Sequence, residues 1–146
     1  SENYHQNGIL KKTFAPAYID SNIEIEIKTK AKKLAQNLNL YGVLAIELFE
    51  LLDGSIVFNE IAPRPHNSFH WTLDGCNSSQ FDILIRTICG LPVKDVNCSG
   101  KWEMTNLIGQ DVNNINLYKD QNYILHIYGK KNVKSGRKMG HYNSAH

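Results

Sequence analysis

The chain has 146 residues, 42% of them hydrophobic and 21% charged, with a formal net charge of +2. That length supports one domain or two very small ones. The charge is too mild to argue for a nucleic-acid or membrane surface, although it is compatible with an anionic small molecule. No signal peptide precedes the first strand-like segment, and no apolar run reaches the length of a membrane span.

In chain order, the first feature is Asn7-Gly8 between ENYH and ILKKTFAP. This dipeptide suits a tight hairpin because both positions tolerate positive φ. Ser21 and Glu24 then form an S-x-x-E capping box, and Ile27, Ala31, Leu34, Ala35 and Leu38 recur at helical spacing. These predict an amphipathic helix of about four turns whose lysines form its solvated face. YGVLAIELFELL and SIVFNEIA read as two strands joined by Asp53-Gly54, a strong hairpin signal.

A polar loop follows, and Ser79 with Asp82 predicts a second capped helix that Gly90 and Pro92 end. WEMTNLIG and YILHIYGK read as further strands, whereas KKNVKSGRKMGH is a basic, glycine-punctuated tail. A subdomain boundary is placed near 90–93, and the fold class is α+β with largely antiparallel strands. Both ends read as cut: SENYH resembles the interior of a strand, and GHYNSAH closes with no terminal element. Cys76, Cys89 and Cys98 form no C-x-x-C pair and are odd in number, so they read as reduced thiols of a cytoplasmic protein.

Register supplies the first functional hypothesis. With a two-residue Asp53-Gly54 loop, Leu52 faces Ser55, Leu51 faces Ile56, Phe49 faces Phe58 and Glu47 faces Glu60. The last pair places two carboxylates roughly 4.5–5.5 Å apart at Cβ. Like charges there repel unless one takes a proton or a cation sits between them, and Mg²⁺ binds through one or two carboxylates with phosphate oxygens and water. The bland alternative is two glutamates at a wet edge. Asn59 is expected on the opposite face, in a backbone or supporting role.

Pro63 and Pro65 stiffen the backbone on either side of Arg64. A guanidinium on a rigid support suits a phosphate or carboxylate ligand, and a structural ion pair is the competing reading. His66 and Asn67 add a titratable donor and an amide. His66 and His70 are four residues apart and invite a zinc site with Cys76, but such a site usually needs three or four N/S ligands and no firm helix or C-x-x-C supports this one. Lys130, Arg137 and Lys138, interleaved with Gly129, Gly136 and Gly140, suit a phosphate clamp, against a solvated basic loop as the alternative.

ENYHQNGIL, AIELFELLDGSIVFNEIAPRPHNSFHWT, SQFDILIRTICGLP, NLIG and LHIYGKKNVKSGRKMGH, in this order, resemble 5-(carboxyamino)imidazole ribonucleotide synthase. This is an ATP-grasp enzyme family of bacterial and fungal purine biosynthesis. The likeness covers nearly the whole chain, and NEIAPRPHNS and YGK-x6-GRKMGH are its specific motifs. It implies that residues 1–92 are the C-terminal part of an ATP-grasp domain, an antiparallel sheet with helices, and that 93–146 are a small, truncated β-rich terminal domain.

The implied reaction uses ATP to activate bicarbonate as carboxyphosphate, which carboxylates the exocyclic amine of aminoimidazole ribonucleotide. By this resemblance Glu47 and Glu60 hold Mg²⁺, and His5, Asn59 and Glu60 lie at ATP. Arg64, His66 and Asn67 lie near bicarbonate and the imidazole substrate, and Lys130 and Arg137, helped by Lys138, meet the ribonucleotide phosphate. The resemblance further implies a cytoplasmic homodimer with small-molecule substrates and neither nucleic acid nor membrane as partner.

Two departures stand out. Phe69 occupies the position where the family usually has glycine, and the first domain and the glycine-rich loop of the ATP-grasp module are absent. The chain alone is therefore expected to be inactive. Two other classes compete with an enzyme piece: a non-catalytic nucleotide- or phosphate-binding module, and an α+β interaction domain whose polar loop is structural.

Overall fold

The computed structural model describes residues 1–119 and 122–146. The elements are β1 (Glu2–Gln6), β2 (Ile9–Ala15), α1 (Ser21–Asn37), β3 (Ala45–Glu50), β4 (Ile56–Ala62), α2 (Thr72–Gly75), α3 (Gln80–Ile88), β5 (Trp102–Ile108), α4 (Asn116–Lys119), β6 (Ile124–Ile127) and β7 (Lys138–Ala145). They form two compact units. One comprises Ser1–Ala17, Ser68–Asn77 and Val96–His146, and the other comprises Tyr18–Asn67 and Ser78–Asp95. The expected α+β class with antiparallel strands holds in both.

The first unit is a five-stranded antiparallel sheet in the order β1-β2-β5-β7-β6. Its first hairpin turns on Asn7 and Gly8, at φ 52° and 73°, as that dipeptide predicts. Leu10, Ala15, Trp71 and Met104 make the apolar core, with Trp102 and Cys76 packed against it.

Strand β7 corrects the sequence reading, which left GHYNSAH without an element. It lies between β5 and β6, and Met139 to Ser144 are all buried. Its Gly140 has no alternative, because a Cβ there would stand 2.5 Å from the His126 carbonyl oxygen. The cysteines are corrected as well. Cys76 and Cys98 form a disulfide, flanked by backbone hydrogen bonds from Asn77 to Asn97 and from Ser99 to Gly75, and Cys89 is free.

The second unit holds α1, α3 and the β3–β4 hairpin. Helix α1 begins one residue earlier than the S-x-x-E pattern implies: Asp20 is the cap, and its Oδ1 accepts from Asn22 and Ile23 N–H at 2.8 and 3.4 Å. A carboxylate there also complements the positive end of the helix. Ile27, Ala31, Leu34 and Ala35 form the half-buried stripe, at the spacing an amphipathic helix requires. The helix ends with Asn39 at φ 46°, while Asn39 and Leu40 N–H return to the Gln36 and Ala35 carbonyls. That is a Schellman end with asparagine in glycine's usual place. Helix α3 carries the predicted Ser79–Asp82 capping box.

Candidate metal and phosphate site

The hairpin loop is longer than Asp53-Gly54 alone. Leu51 N–H donates to the Ser55 carbonyl and Gly54 N–H to that of Leu51, with Gly54 at φ 80°. Asp53 Oδ1 accepts from the Ser55 backbone N–H and hydroxyl. The Ser55 hydroxyl and then its backbone N–H hold the Asp53 carboxyl below its ordinary pKa.

This loop shifts the nearby pairs by one. Leu48 faces Phe58, Phe49 faces Val57 and Glu50 faces Ile56, in place of the expected Phe49–Phe58 and Leu51–Ile56 pairs. A register shift between Glu47 and Leu48 then restores the count, so that Glu47 does face Glu60. The extra residue is Asn59 on β4, and a bulge re-aims its side chain. Asn59 was expected on the far face, but its Nδ2 donates to Glu47 Oε2 at 3.4 Å.

His66 closes the group. Its Nε2 lies 3.1 Å from Glu60 Oε1 and its Nδ1 3.5 Å from Glu47 Oε1. The candidate ligand atoms of Glu47, Glu60 and His66 are all within 4.8 Å of one another. One positive group can therefore touch both carboxylates, and the imidazole marks where it would stand. Two carboxylates and a nearby carboxamide are oxygen donors suited to Mg²⁺. The imidazole nitrogen is a less usual ligand for that ion.

The approach to His66 is stiff. Arg64 N–H donates to the Ala62 carbonyl, and Arg64 Nη1 to that of Pro65 at 3.0 Å. The guanidinium thus folds onto its own loop, and among the described residues Arg64 makes no ion pair with the acidic group. Asn67 opens a 3-10 turn, Asn67–Phe69. Phe69 is not among the residues with positive φ, so its backbone does not require a glycine. The His66–His70–Cys76 zinc alternative loses its thiolate to the disulfide.

The other candidates lie in the sheet unit. His5 is on the edge strand β1, beside a register shift, and is exposed. Lys130 Nζ donates to the Lys138 carbonyl and stands 5.2 Å from the Tyr128 ring centroid, and Arg137 Nη1 donates to the Asn132 carbonyl. Lys130 and Arg137 therefore also brace the loop that carries them.

The same unit contains a part-buried polar network, centred on the buried His141 and Asn143, that sequence reasoning missed. Tyr128 OH pairs with His141 Nδ1 at 2.8 Å, and the His141 ring stacks on His126 at 4.6 Å. Asp74 Oδ2 lies 2.8 Å from His126 Nε2 and accepts from Asn143 Nδ2. Burial, aided by His70 and His126, pushes the His141 pKa down to about 3, and burial pushes Tyr128 up to about 12.

Comparison with known proteins places these residues in context. The ATP-grasp domain model matches residues 1–81, and the phosphoribosylaminoimidazole carboxylase C-terminal domain model matches residues 103–146. The chain is 45% identical to N5-carboxyaminoimidazole ribonucleotide synthase of Bacillus subtilis, over 97% of its own length and 38% of that relative's. It is similar in structure to an Aspergillus clavatus carboxyaminoimidazole ribonucleotide synthase complexed with ATP (TM-score 0.92, 33% identity, covering 99% of this chain and 40% of that one). A complex of the Aspergillus clavatus synthase with ADP and 5-aminoimidazole ribonucleotide also matches (TM-score 0.84, 33% identity, 99% and 41%). The chain thus spans about two fifths of these relatives. It belongs to the ATP-grasp family, in the branch that carries the phosphoribosylaminoimidazole carboxylase C-terminal domain.

Proposed function

We propose that this chain is the C-terminal part of an ATP-dependent carboxylating ligase. The ligase converts aminoimidazole ribonucleotide, bicarbonate and ATP to 5-carboxyaminoimidazole ribonucleotide, ADP and phosphate. The observation that carries the reading is the opposition of Glu47 and Glu60 with His66 across both. Glu47 and Glu60 would hold Mg²⁺, which supplies charge neutralisation on the transferring phosphoryl group when bound. Asn59 orients Glu47, and with Glu60 and His5 it belongs to the ATP end of the site. Arg64, His66 and Asn67 orient bicarbonate and the imidazole substrate. Lys130, Arg137 and Lys138 bind the ribonucleotide phosphate, with Gly129 and Gly136 allowing close approach.

The division proposed for this chain is 1–92 as the C-terminal part of an ATP-grasp domain and 93–146 as the small β-rich terminal domain, in a protein that works as a cytoplasmic homodimer. A two-stranded sheet with Phe49, Val57 and Phe58 exposed is marginal in water, which supports a larger sheet around the hairpin. On that view the chain alone turns over no substrate. Because it spans 38% of the Bacillus subtilis relative, a second reading applies to the chain by itself: a nucleotide- or phosphate-binding module without catalysis.

The test is a hybrid enzyme in which residues 1–146 replace the matching part of the Bacillus subtilis relative. ADP release from ATP and bicarbonate is expected to depend on aminoimidazole ribonucleotide. Release indifferent to the ribonucleotide, in a hybrid that binds ATP, would overturn the substrate assignment. Titration of the chain alone with the ribonucleotide separates a binding module from an inert half.

A further inference from the structure

Gln80 belongs to none of the residue sets read from the sequence, yet it is 8% exposed at the first position of α3. Its carboxamide meets the backbone of His66 twice. His66 N–H donates to Gln80 Oε1 at 2.8 Å, and Gln80 Nε2 donates to the His66 carbonyl at 2.9 Å. Paired bonds to one residue's N–H and C=O reproduce what an antiparallel neighbouring strand would supply. They fix the orientation of the His66 backbone as well as its distance.

The base of this clamp is itself rigid. Ser79, 4% exposed, exchanges hydrogen bonds with Asp82 across the helix start, and the bonds its hydroxyl and then its backbone N–H give to the Asp82 carboxylate lower the Asp82 pKa. Beyond the His66 Cα, the imidazole reaches Glu60 at 3.1 Å and Glu47 at 3.5 Å. On the same loop, Arg64 bonds to the Ala62 and Pro65 carbonyls.

We propose that Gln80 is a positioning residue that holds His66 between Glu47 and Glu60, so that the start of α3 sets where the imidazole stands. The inference rests on reading these three residues as the working site. Its mechanism is geometric: the carboxamide offers an accepting oxygen and a donating NH2, and His66 engages each once. Gln80→Leu removes both bonds, and Gln80→Glu keeps the acceptor while losing the donor.

The experiment is NMR on the whole chain without added metal, at one fixed pH, followed by Mn²⁺ titration. In Gln80→Leu the His66 ring resonances are expected to collapse toward averaged, random-coil positions. The His66 amide should exchange at least about tenfold faster, while the α3 amide signals stay in place. Gln80→Glu is expected to keep His66 amide protection while the ring signals still broaden, and it decides the matter if Gln80→Leu does not fold.

Ring resonances unchanged in the folded variants would overturn the proposal. Loss of the α3 signals in both variants would also overturn it, since Gln80 would then serve the fold alone. The ring readout needs neither ATP nor metal. A chain that fails to bind Mn²⁺ but shows the ring response removes the metal reading and leaves the positioning role standing.

Discussion

Glu47 stands directly opposite Glu60 because two one-residue offsets cancel. The loop at Leu51–Ser55 moves every nearby pair by one, and the register shift beside Glu47 moves the count back. The residue that absorbs the difference, Asn59, gives its amide to Glu47. Deleting Asn59 should close the ladder with Glu60 still opposite Glu47, since Glu60 then follows Phe58 directly, but Glu47 loses the amide that orients it. Mn²⁺ affinity measured by electron paramagnetic resonance should then fall at least about tenfold, with the helices intact by circular dichroism. Unchanged affinity would separate the bulge from the site.

Helix α1 offers a check on the capping assignment. Asp20→Ala should cost about 1 kcal/mol in urea denaturation, and Ser21→Ala only a few tenths. The reverse order would restore Ser21 as the cap.

Strand β7 makes a sharper demand. Gly140→Ala places a methyl group 2.5 Å from the His126 carbonyl oxygen, and neighbouring strands cannot separate without breaking their ladder. A loss of about 1–3 kcal/mol is expected, read as a fall in the melting temperature.

Burial drives the pH prediction. His141 is fully buried, and its pKa is pushed down to about 3 by desolvation and by His70 and His126. Tyr128 faces its Nδ1, and Asp74 bonds to the neighbouring His126. With the folded pKa below the unfolded one, the unfolded chain binds the extra proton. Stability is therefore full above roughly pH 6.5 and falls on acidification through the window down to about 3, at about 1.4 kcal/mol per pH unit. In His141→Gln the slope between about pH 5.5 and pH 4 should lose close to one proton. An unchanged slope would show that His141 is not the group responsible.

What could be read in advance follows from how local each signal is. Asn7-Gly8, the Ser79–Asp82 capping box and the α1 stripe act within a few residues, so the chain states them directly. Glu47 and Glu60 were legible as a pair, but only because an unseen bulge compensated for an unseen longer loop. Strand β7 was illegible because Gly140, His141, Asn143 and Ser144 have neither alternation nor β-branched side chains. Its strand state comes from pairing with β5 and β6. The Cys76–Cys98 bond and the Gln80 clamp join residues 22 and 14 positions apart, and no motif reports such a meeting.

The central claim is that the β3–β4 hairpin is a divalent-cation seat. Mn²⁺ binding to the chain, followed by electron paramagnetic resonance in the wild type and in Glu47→Gln and Glu60→Gln, tests it most directly. The account predicts one saturable site per chain, weakened at least about tenfold by either substitution. Binding that never saturates, or that survives Glu60→Gln unchanged, would contradict it.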